Sequence, residues 1–451
     1  MLLPPTQQLL FSLLLAVSRI NGAQLAFPGA AGFGAYAKGG REGNNCIVST
    51  LSDTGPGSLR DCLKEPNRII TFTVGGVIRS KERFVIPKST TILGQTAPSP
   101  GITTYGNGWS ASGADESIVR YIRVRMGKEG TKGKDAMGVA HGKNIIFDHV
   151  SVAWGKDETF SINGDEAMNI TIMNCIIGQG LEDHSAGGLI QTKGGVSIFR
   201  NLYVDNKTRN PKVKGKNDFR NNVIYNWGAG GGYIAGGESE GESNVIIQGN
   251  YFIAGPSTGS TPPFVRGNER FHAFVSDNWL DGNKDGSLNG KLLAEGDAKA
   301  YGGMDLVTKD FGYPGPETII SAKEAVEVVL KEAGASNFRD AIDARMLEEV
   351  RSWGKLGQLV TRESDPPMVG LLEMGVVASR SVKEEKESLV DSDGDGIPDH
   401  VERERGWEVE KHDSMTVGDG GYTRLEEWAN SLVGSYCATR SVSGALQQAI
   451  R

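Results

Sequence analysis

One phrase recurs between about residues 117 and 253, every 21 to 28 residues: aliphatics in alternation, an Asn, then more aliphatics. Its copies begin at Asn144, Asn169, Val196, Asp218 and Asn244. Each is strand-sized, rich in β-branched residues and without helical spacing. A fixed period of this length means stacked units, none of which can bury its apolar face alone. Three short strands per turn consume about this many residues, so the economical solution is an all-β chain wound as a parallel β-helix.

Asn174, Asn201, Asn222 and Asn250 hold one shared position in the copies, each just before an aliphatic pair. That placement predicts an internal ladder of stacked amides, each satisfying backbone at a bend and the amide of the next turn. The 62 Gly among 451 residues suit a solenoid with many tight corners.

Four parts are expected: a signal peptide over 1–23, the β-helix over 24–310, a helical extension over 311–378, and a linker with a metal-binding tail over 379–451. The run from Leu9 to Ser18 has the apolar core of a secretory signal, so export is expected. No internal apolar run reaches the length of a membrane span, and a membrane partner is not expected. The sequons at Asn169 and Asn206 fit a glycosylating compartment. Among four cysteines, Cys46 and Cys62 flank a Gly-Pro-Gly turn and suit a disulfide, Cys175 holds a strand position, and Cys437 lies near the end. A net charge of −7 argues against non-specific attraction to nucleic acid. A monomer is expected.

From Ala322 the texture changes to helical spacing that ends at a Gly, and a second helix is predicted over Asp340 to Trp353; both would cover a flank or end of the solenoid. The charged stretch from Ser379 to Glu387 reads as a linker. It leads to Asp391, Asp393, Asp395, Ile397, Asp399 and Glu402, spaced as positions 1, 3, 5, 7, 9 and 12 of an EF-hand loop with Gly396 at 6. Ca²⁺ takes about six to eight oxygens, and this spacing is expected to converge five carboxylates and the Ile397 carbonyl on one ion. A second loop ending at Glu427 has Thr416, Gly418 and Gly420 at the first ligand positions, so one strong calcium site is predicted, in a stabilising role.

Asp135, Asp157 with Glu158, and Arg209 with Lys212 and Lys214 interrupt the strand texture. Asp135 and Asp157 are 22 residues apart, close to one turn, and are expected to face each other and share a cation. Carboxylates that hold a metal beside a basic clamp suit a polyuronate, one carboxylate bridged by the ion and its neighbours paired with Arg and Lys. His184 can serve the cleft or the fold; His149 is expected to be a satisfied internal residue bonded into the ladder. Asp157 and Glu158 are adjacent, and strand neighbours point to opposite faces, which disfavours a hydrolase built on that pair.

The segments Ile92 to Pro98, Val119 to Arg125, Asp148 to Trp154 with Asp157 and Glu158, and Arg209 to Pro211 resemble the pectate lyases of polysaccharide lyase family 1, over about Phe27 to Asn278. The resemblance implies a right-handed parallel β-helix that cleaves polygalacturonate or low-methyl pectin by calcium-dependent β-elimination. Arg209 would be the base for the C5 proton, Lys214 a substrate-binding cation, and Asp135 and Asp157 calcium ligands. Two positions depart from the family pattern: Ser161 stands where a third acidic ligand is usual, so Glu158, water or substrate would take its place, and Ala186 stands where a substrate-binding Lys is usual, so Lys193 or Lys212 would compensate. The competing expectations are a β-helix that binds polyuronate without turnover and a pectin lyase acting on methylated chains. The acidic residues count against the latter.

Overall fold

The computed structural model describes residues 23–433 except 182, 237–240, 366, 367, 369 and 375–389. The expected signal peptide, most of the linker and Cys437 therefore lie outside the described residues.

The chain winds into a parallel β-solenoid of about nine turns. Met137–Asp148, Phe160–Met173, Leu189–Phe199, Lys212–Arg220, Ser243–Gln248 and Phe271–Ser276 pair in that order, all parallel, within one large sheet. Each is followed by a three-residue strand of a second sheet, from Ser151–Ala153 through Ile176–Gly178, Leu202–Val204, Val223–Tyr225 and Tyr251–Ile253 to Trp279–Asp281. The register stacks Phe147, Ile172, Ile198, Phe219, Ile247 and Val275 in one column. That column lies in the continuous interior core, where each large aliphatic or aromatic side chain contributes about 1.5–3 kcal/mol by leaving water.

Between the two sheets the chain turns through one residue of left-handed backbone per turn: His149, Asn174, Arg200, Asn221, Gly249 and Asp277. The residue after each is the ladder position. Asn201 Nδ2 donates to Asn222 Oδ1 at 3.0 Å, Asn222 to Asn250 at 3.0 Å, and Asn250 to Asn278 at 2.9 Å. The ladder thus includes Asn278, and Asn174 is not in it. Asn174 is the bend residue, and Cys175 takes the ladder place, its backbone N–H donating to Asn201 Oδ1. Asn174 instead bonds Asp148 and accepts from Arg200. His149 sits in the same bend column, stacked on Tyr121 at 4.5 Å and bonded to Asp148, not in the amide ladder.

Two helices, Ala322–Glu332 and Ala341–Arg351, pack along the outer face of the second sheet against Ile176, Leu202, Val204, Val223 and Tyr225. Arg123 and Arg125 reach outward from Ile122–Arg125 and fix the second helix through its N-cap Asp340 and through Asp343, 2.6 Å from Arg125. All four side chains are buried, so removing one partner would cost about 3–5 kcal/mol. The tail forms two further helices, Asp399–Arg405 and Arg424–Ser431. It rests on the large sheet near the start of the solenoid, where Ile397, Val401, Leu425 and Trp428 meet Ile69 and Leu93. Arg41 donates to both carboxylate oxygens of Glu426 there. The structure pairs Cys46 with Cys62. Cys175 is a buried thiol whose ionisation burial opposes.

Candidate active site

After the strand Ser151–Ala153, Asp157 lies in a bend and Glu158 is an isolated bridge residue paired with Ala186. Strand alternation does not operate in a bend. The two carboxylates therefore converge, contrary to the sequence expectation, and with His184 they bring one ligand atom each within 4.8 Å of one another. His184 Nε2 lies 3.0 Å from Asp157 Oδ1 and 3.6 Å from Glu158 Oε1. His184 and Asp157 are open to solvent, whereas the Glu158 side chain is only 6% exposed.

The register also corrects the expected pairing of Asp135 with Asp157. Met137 lies opposite Phe160, an offset of 23 residues, so Asp135 stands opposite Glu158 and Lys134 opposite Asp157. The Glu158 backbone N–H donates to Asp135 Oδ1 at 3.2 Å. Burial first, and then the neighbouring Glu158 charge, push the Asp135 carboxyl up to about 7. The Glu158 carboxyl is also raised, chiefly by burial, against the attraction of Arg209. Arg83, which carries no motif signal, lines this corner: its guanidinium donates to the Asp135 carbonyl at 2.8 Å and feels the Asp135 charge.

Glu158, Ala186 and Thr208 bridge in parallel on successive turns. Arg209, next after Thr208, has left-handed backbone at φ 55° and donates through Nη1 to Glu158 Oε1, two turns away. Its side chain passes the turn that carries Ala186, where a long side chain would stand in the way. Ser161 is buried and its Oγ accepts the backbone N–H of Leu189 at 3.0 Å, so it stitches two turns together. Lys212 and Lys214 lie on the strand that follows Arg209, half-buried, with Lys212 opposite Leu189 and Lys214 opposite Gln191. Lys214 lines a groove of about 600 Å³ with Lys193 and Lys216; Lys193 pairs there with Asp165 at 2.6 Å. One flank of the solenoid thus carries a solvent-open site in which buried carboxylates meet an Arg, a His and a file of Lys.

Asn206 is fully buried, its Nδ2 donating to Ile177 O and Asn210 Oδ1 and its Oδ1 accepting from Gly180 N–H. This overturns the expected glycan there, since the amide nitrogen is spent inside the fold. Asn169 is exposed.

In the tail, Asp391, Asp393 and Asp395 bring ligand atoms within 4.8 Å of one another. Asp391 accepts from Gly394 and Gly396 N–H, and Asp395 from Ile397, Asp413 and Ser414 N–H. Asp399 departs from the expected convergence. Its carboxylate binds Ser392 N–H at 2.7 Å, the Ser392 hydroxyl and Arg403. Glu402 is 1% exposed, and neither of its oxygens finds a hydrogen-bond partner among the described residues. Burial and then the charges of Asp395, Asp393 and Asp391 push its carboxyl up to about 7.

No family model matches the chain. It is 58% identical over 421 residues to the probable pectate lyase C of Aspergillus flavus, covering 93% of this chain and 97% of that one. It is 55% identical over 422 residues to the probable pectate lyase C of Aspergillus fumigatus, covering 94% and 97%. Among solved structures, the major allergen of cedar pollen, jun a 1, superposes with a TM-score of 0.49 at 18% identity, covering 68% of this chain and 92% of that one.

Proposed function

The chain belongs to the pectate lyases and is a polysaccharide lyase, and from that premise we propose a secreted enzyme that uses Ca²⁺ to cleave polygalacturonate or low-methyl pectin by β-elimination, leaving unsaturated oligogalacturonide ends. The observation that carries this reading is the convergence of Asp157, Glu158 and Asp135 with Arg209 in an open site flanked by Lys212 and Lys214.

The donor set suits the ion. Asp157 and Glu158 converge, burial and the Glu158 charge push the Asp135 carboxyl up to about 7, and hard oxygen donors are what Ca²⁺ selects. Asp135, Asp157 and Glu158 would hold it; Ser161, spent on Leu189, would not. Bound there, the ion would neutralise a uronate carboxylate and so acidify the proton at C5. Lys212 and Lys214 hold neighbouring carboxylates of the chain. Arg209 acts at C5. A guanidinium has donors only, so Arg209 either yields a proton first and serves as base, or keeps it and stabilises the carbanion charge while water or hydroxide takes the proton. Glu158 competes for those donors, since Arg209 now spends Nη1 on it. The bond from C4 to the leaving oxygen then breaks as the double bond forms between C4 and C5, and that oxygen takes a proton from water.

The tail loop is the place for a second Ca²⁺ with a stabilising role. Asp391, Asp393, Asp395 and Glu402 would hold it, together with the Ile397 carbonyl, and the support is the buried, unpartnered Glu402 carboxylate beside three converging aspartates. Asp399, committed to Ser392 and Arg403, would take no direct part.

The test follows ultraviolet absorbance of unsaturated product from polygalacturonate, with added Ca²⁺ and with chelator, for wild type and Arg209→Ala. Calcium-dependent product that disappears in the variant is expected. A folded wild type that binds polygalacturonate but forms no product from pectate or methylated pectin would overturn the catalytic reading in favour of a binding protein.

A further inference from the structure

Beside the acidic cluster the surface continues into ground that no catalytic motif covers. Lys132, Gly133, Lys156, Asp157, Asp183 and His184 line a hollow of about 330 Å³. Lys132, Lys156 and Asp183 also line a second hollow of about 600 Å³, whose other walls are Lys128, Leu181 and Thr361 to Ser364. The shared residues make one continuous trough running from Asp157 to Arg362. It lies on the opposite side of the Arg209–Glu158 contact from Lys212 and Lys214, because Lys132, Lys156 and His184 precede that contact on their turns and the two lysines follow it.

Two separate parts of the chain build this trough. The near wall is the loop after the strand Ile122–Arg125, and the far wall belongs to the extension beyond the helix Ala341–Arg351. They are fastened to each other: Glu363 Oε1 accepts the Lys128 backbone N–H at 2.8 Å and the Tyr105 hydroxyl at 2.8 Å. Gly127 allows the approach, with left-handed backbone at φ 73° and a site where a Cβ would lie 2.5 Å from the Tyr105 ring. Glu363 is thereby turned inward, while Lys128, Lys132 and Arg362 are exposed and have no carboxylate partner among the described residues. Lys156 adds its charge from the floor, donating to the Lys128 carbonyl at 3.3 Å. Asp183 lines both hollows and Asp157 the smaller one; against them stand Lys128, Lys132, Lys156 and Arg362, and this excess of positive charge favours an anion with charges at intervals.

Resting on the polyuronate reading above, we propose that this trough is an accessory subsite for unesterified uronates of the chain beyond the reacting residue, with Arg362 of the helical extension as a chain-length and charge selector. The chain would enter past Arg362 and Lys128, lie along Lys132 and Lys156, and reach the acidic cluster at His184. Exposed ion pairs are individually weak and screened by salt, so the effect is on KM for long chains at low ionic strength.

The experiment compares wild type, the triple variant Lys128→Ala/Lys132→Ala/Arg362→Ala, and a control of equal charge change at exposed sites elsewhere, Lys291→Ala/Lys299→Ala/Lys309→Ala. On long polygalacturonate at low salt, the trough variant is expected to raise KM about five-fold with kcat kept; the control leaves KM unchanged. The ratio should shrink on trigalacturonate and vanish at high salt. An unchanged KM in the trough variant, or an equal rise in the control, overturns the subsite. If wild type binds polygalacturonate without turnover, the catalytic reading fails separately, and equilibrium binding of the same polymer to the three proteins decides the trough by the same comparison.

Discussion

The molecule gathers carboxylates in two places and balances them differently. In the cleft, Glu158 is answered by the Arg209 guanidinium and Asp157 by the His184 ring nitrogen, so the cluster has side-chain partners of its own and stays open to solvent. In the tail, among the described residues, Asp391 and Asp395 accept from backbone N–H groups, Asp399 pairs with Arg403, and the buried Glu402 carboxylate has no hydrogen-bond partner. A cluster with side-chain partners can exchange them for a substrate and an ion during turnover. A cluster enclosed by its own backbone has no such freedom, and it stabilises the fold only when a cation is supplied. The first arrangement suits catalysis and the second suits a clip. The tail is also placed to act as one, since Ile397 at the seventh loop position packs on Ile69 and Leu93 of the solenoid.

The largest effect that can break this comparison belongs to the cleft. Glu158→Gln, assayed on polygalacturonate with saturating Ca²⁺, is expected to lower kcat/KM about a thousand-fold, equivalent to about 4 kcal/mol, with little change in melting temperature. Equal losses of rate and of stability would show that Glu158 is structural and erase the distinction.

The tail should show the reverse, at about 3 kcal/mol for an ion at about a hundred times its dissociation constant. Wild type is expected to melt about 5 °C higher in Ca²⁺ than in chelator, and Glu402→Gln to lose that gain while keeping its rate in Ca²⁺. In chelator the order should invert, with Glu402→Gln the more stable, because the amide removes a buried charge that nothing answers. A variant less stable than wild type in both conditions would mean that Glu402 supports the fold without an ion.

The fold was legible because burial wrote one pattern many times: each strand copy repeats the alternation its column needs, and the stack from Phe147 to Val275 follows. The amide ladder was legible at Asn201, Asn222 and Asn250, and missed by one residue at Asn174. There the bend residue is itself an Asn, and a Cys fills the ladder place. Site chemistry could be read as residue types but not as register. An offset of 22 residues put Asp135 against Asp157; the register of the paired strands is 23 and puts Asp135 against Glu158. Adjacent Asp157 and Glu158 converge only because they leave the strand, which periodicity does not announce. Asn206 reads as a sequon because a triplet carries no sign of burial. Arg83 and Arg362 reach the site from distant parts of the chain, and nothing local marks either.

A third acidic contact shows another way to balance buried carboxylates and yields the smallest expected effect. Where the helix Ala341–Arg351 meets the solenoid, Asp205 and Glu349 are both fully buried and face each other, with Asn226 Nδ2 donating to Asp205 at 2.6 Å and Arg345 Nε to Glu349 at 3.0 Å. Arg345 can answer only one negative charge. Burial first, and then the Glu349 charge, hold Asp205 well above the ordinary carboxylate range, so a proton does here what Arg209 does in the cleft. Since the native state keeps this proton and the unfolded chain releases it near its ordinary value of about 3.9, the contribution is greatest below that value. It declines as pH rises toward the native one. Asp205→Asn, which keeps a donor and cannot ionise, should remove that decline. Melting temperatures of variant and wild type in chelator, which removes any contribution of Ca²⁺, are expected to differ by about 2 °C more in the variant's favour at pH about 8 than at pH about 4. A difference that stays constant with pH would mean that Asp205 is ionised in the fold, and that helix docking tolerates two buried charges beside one guanidinium.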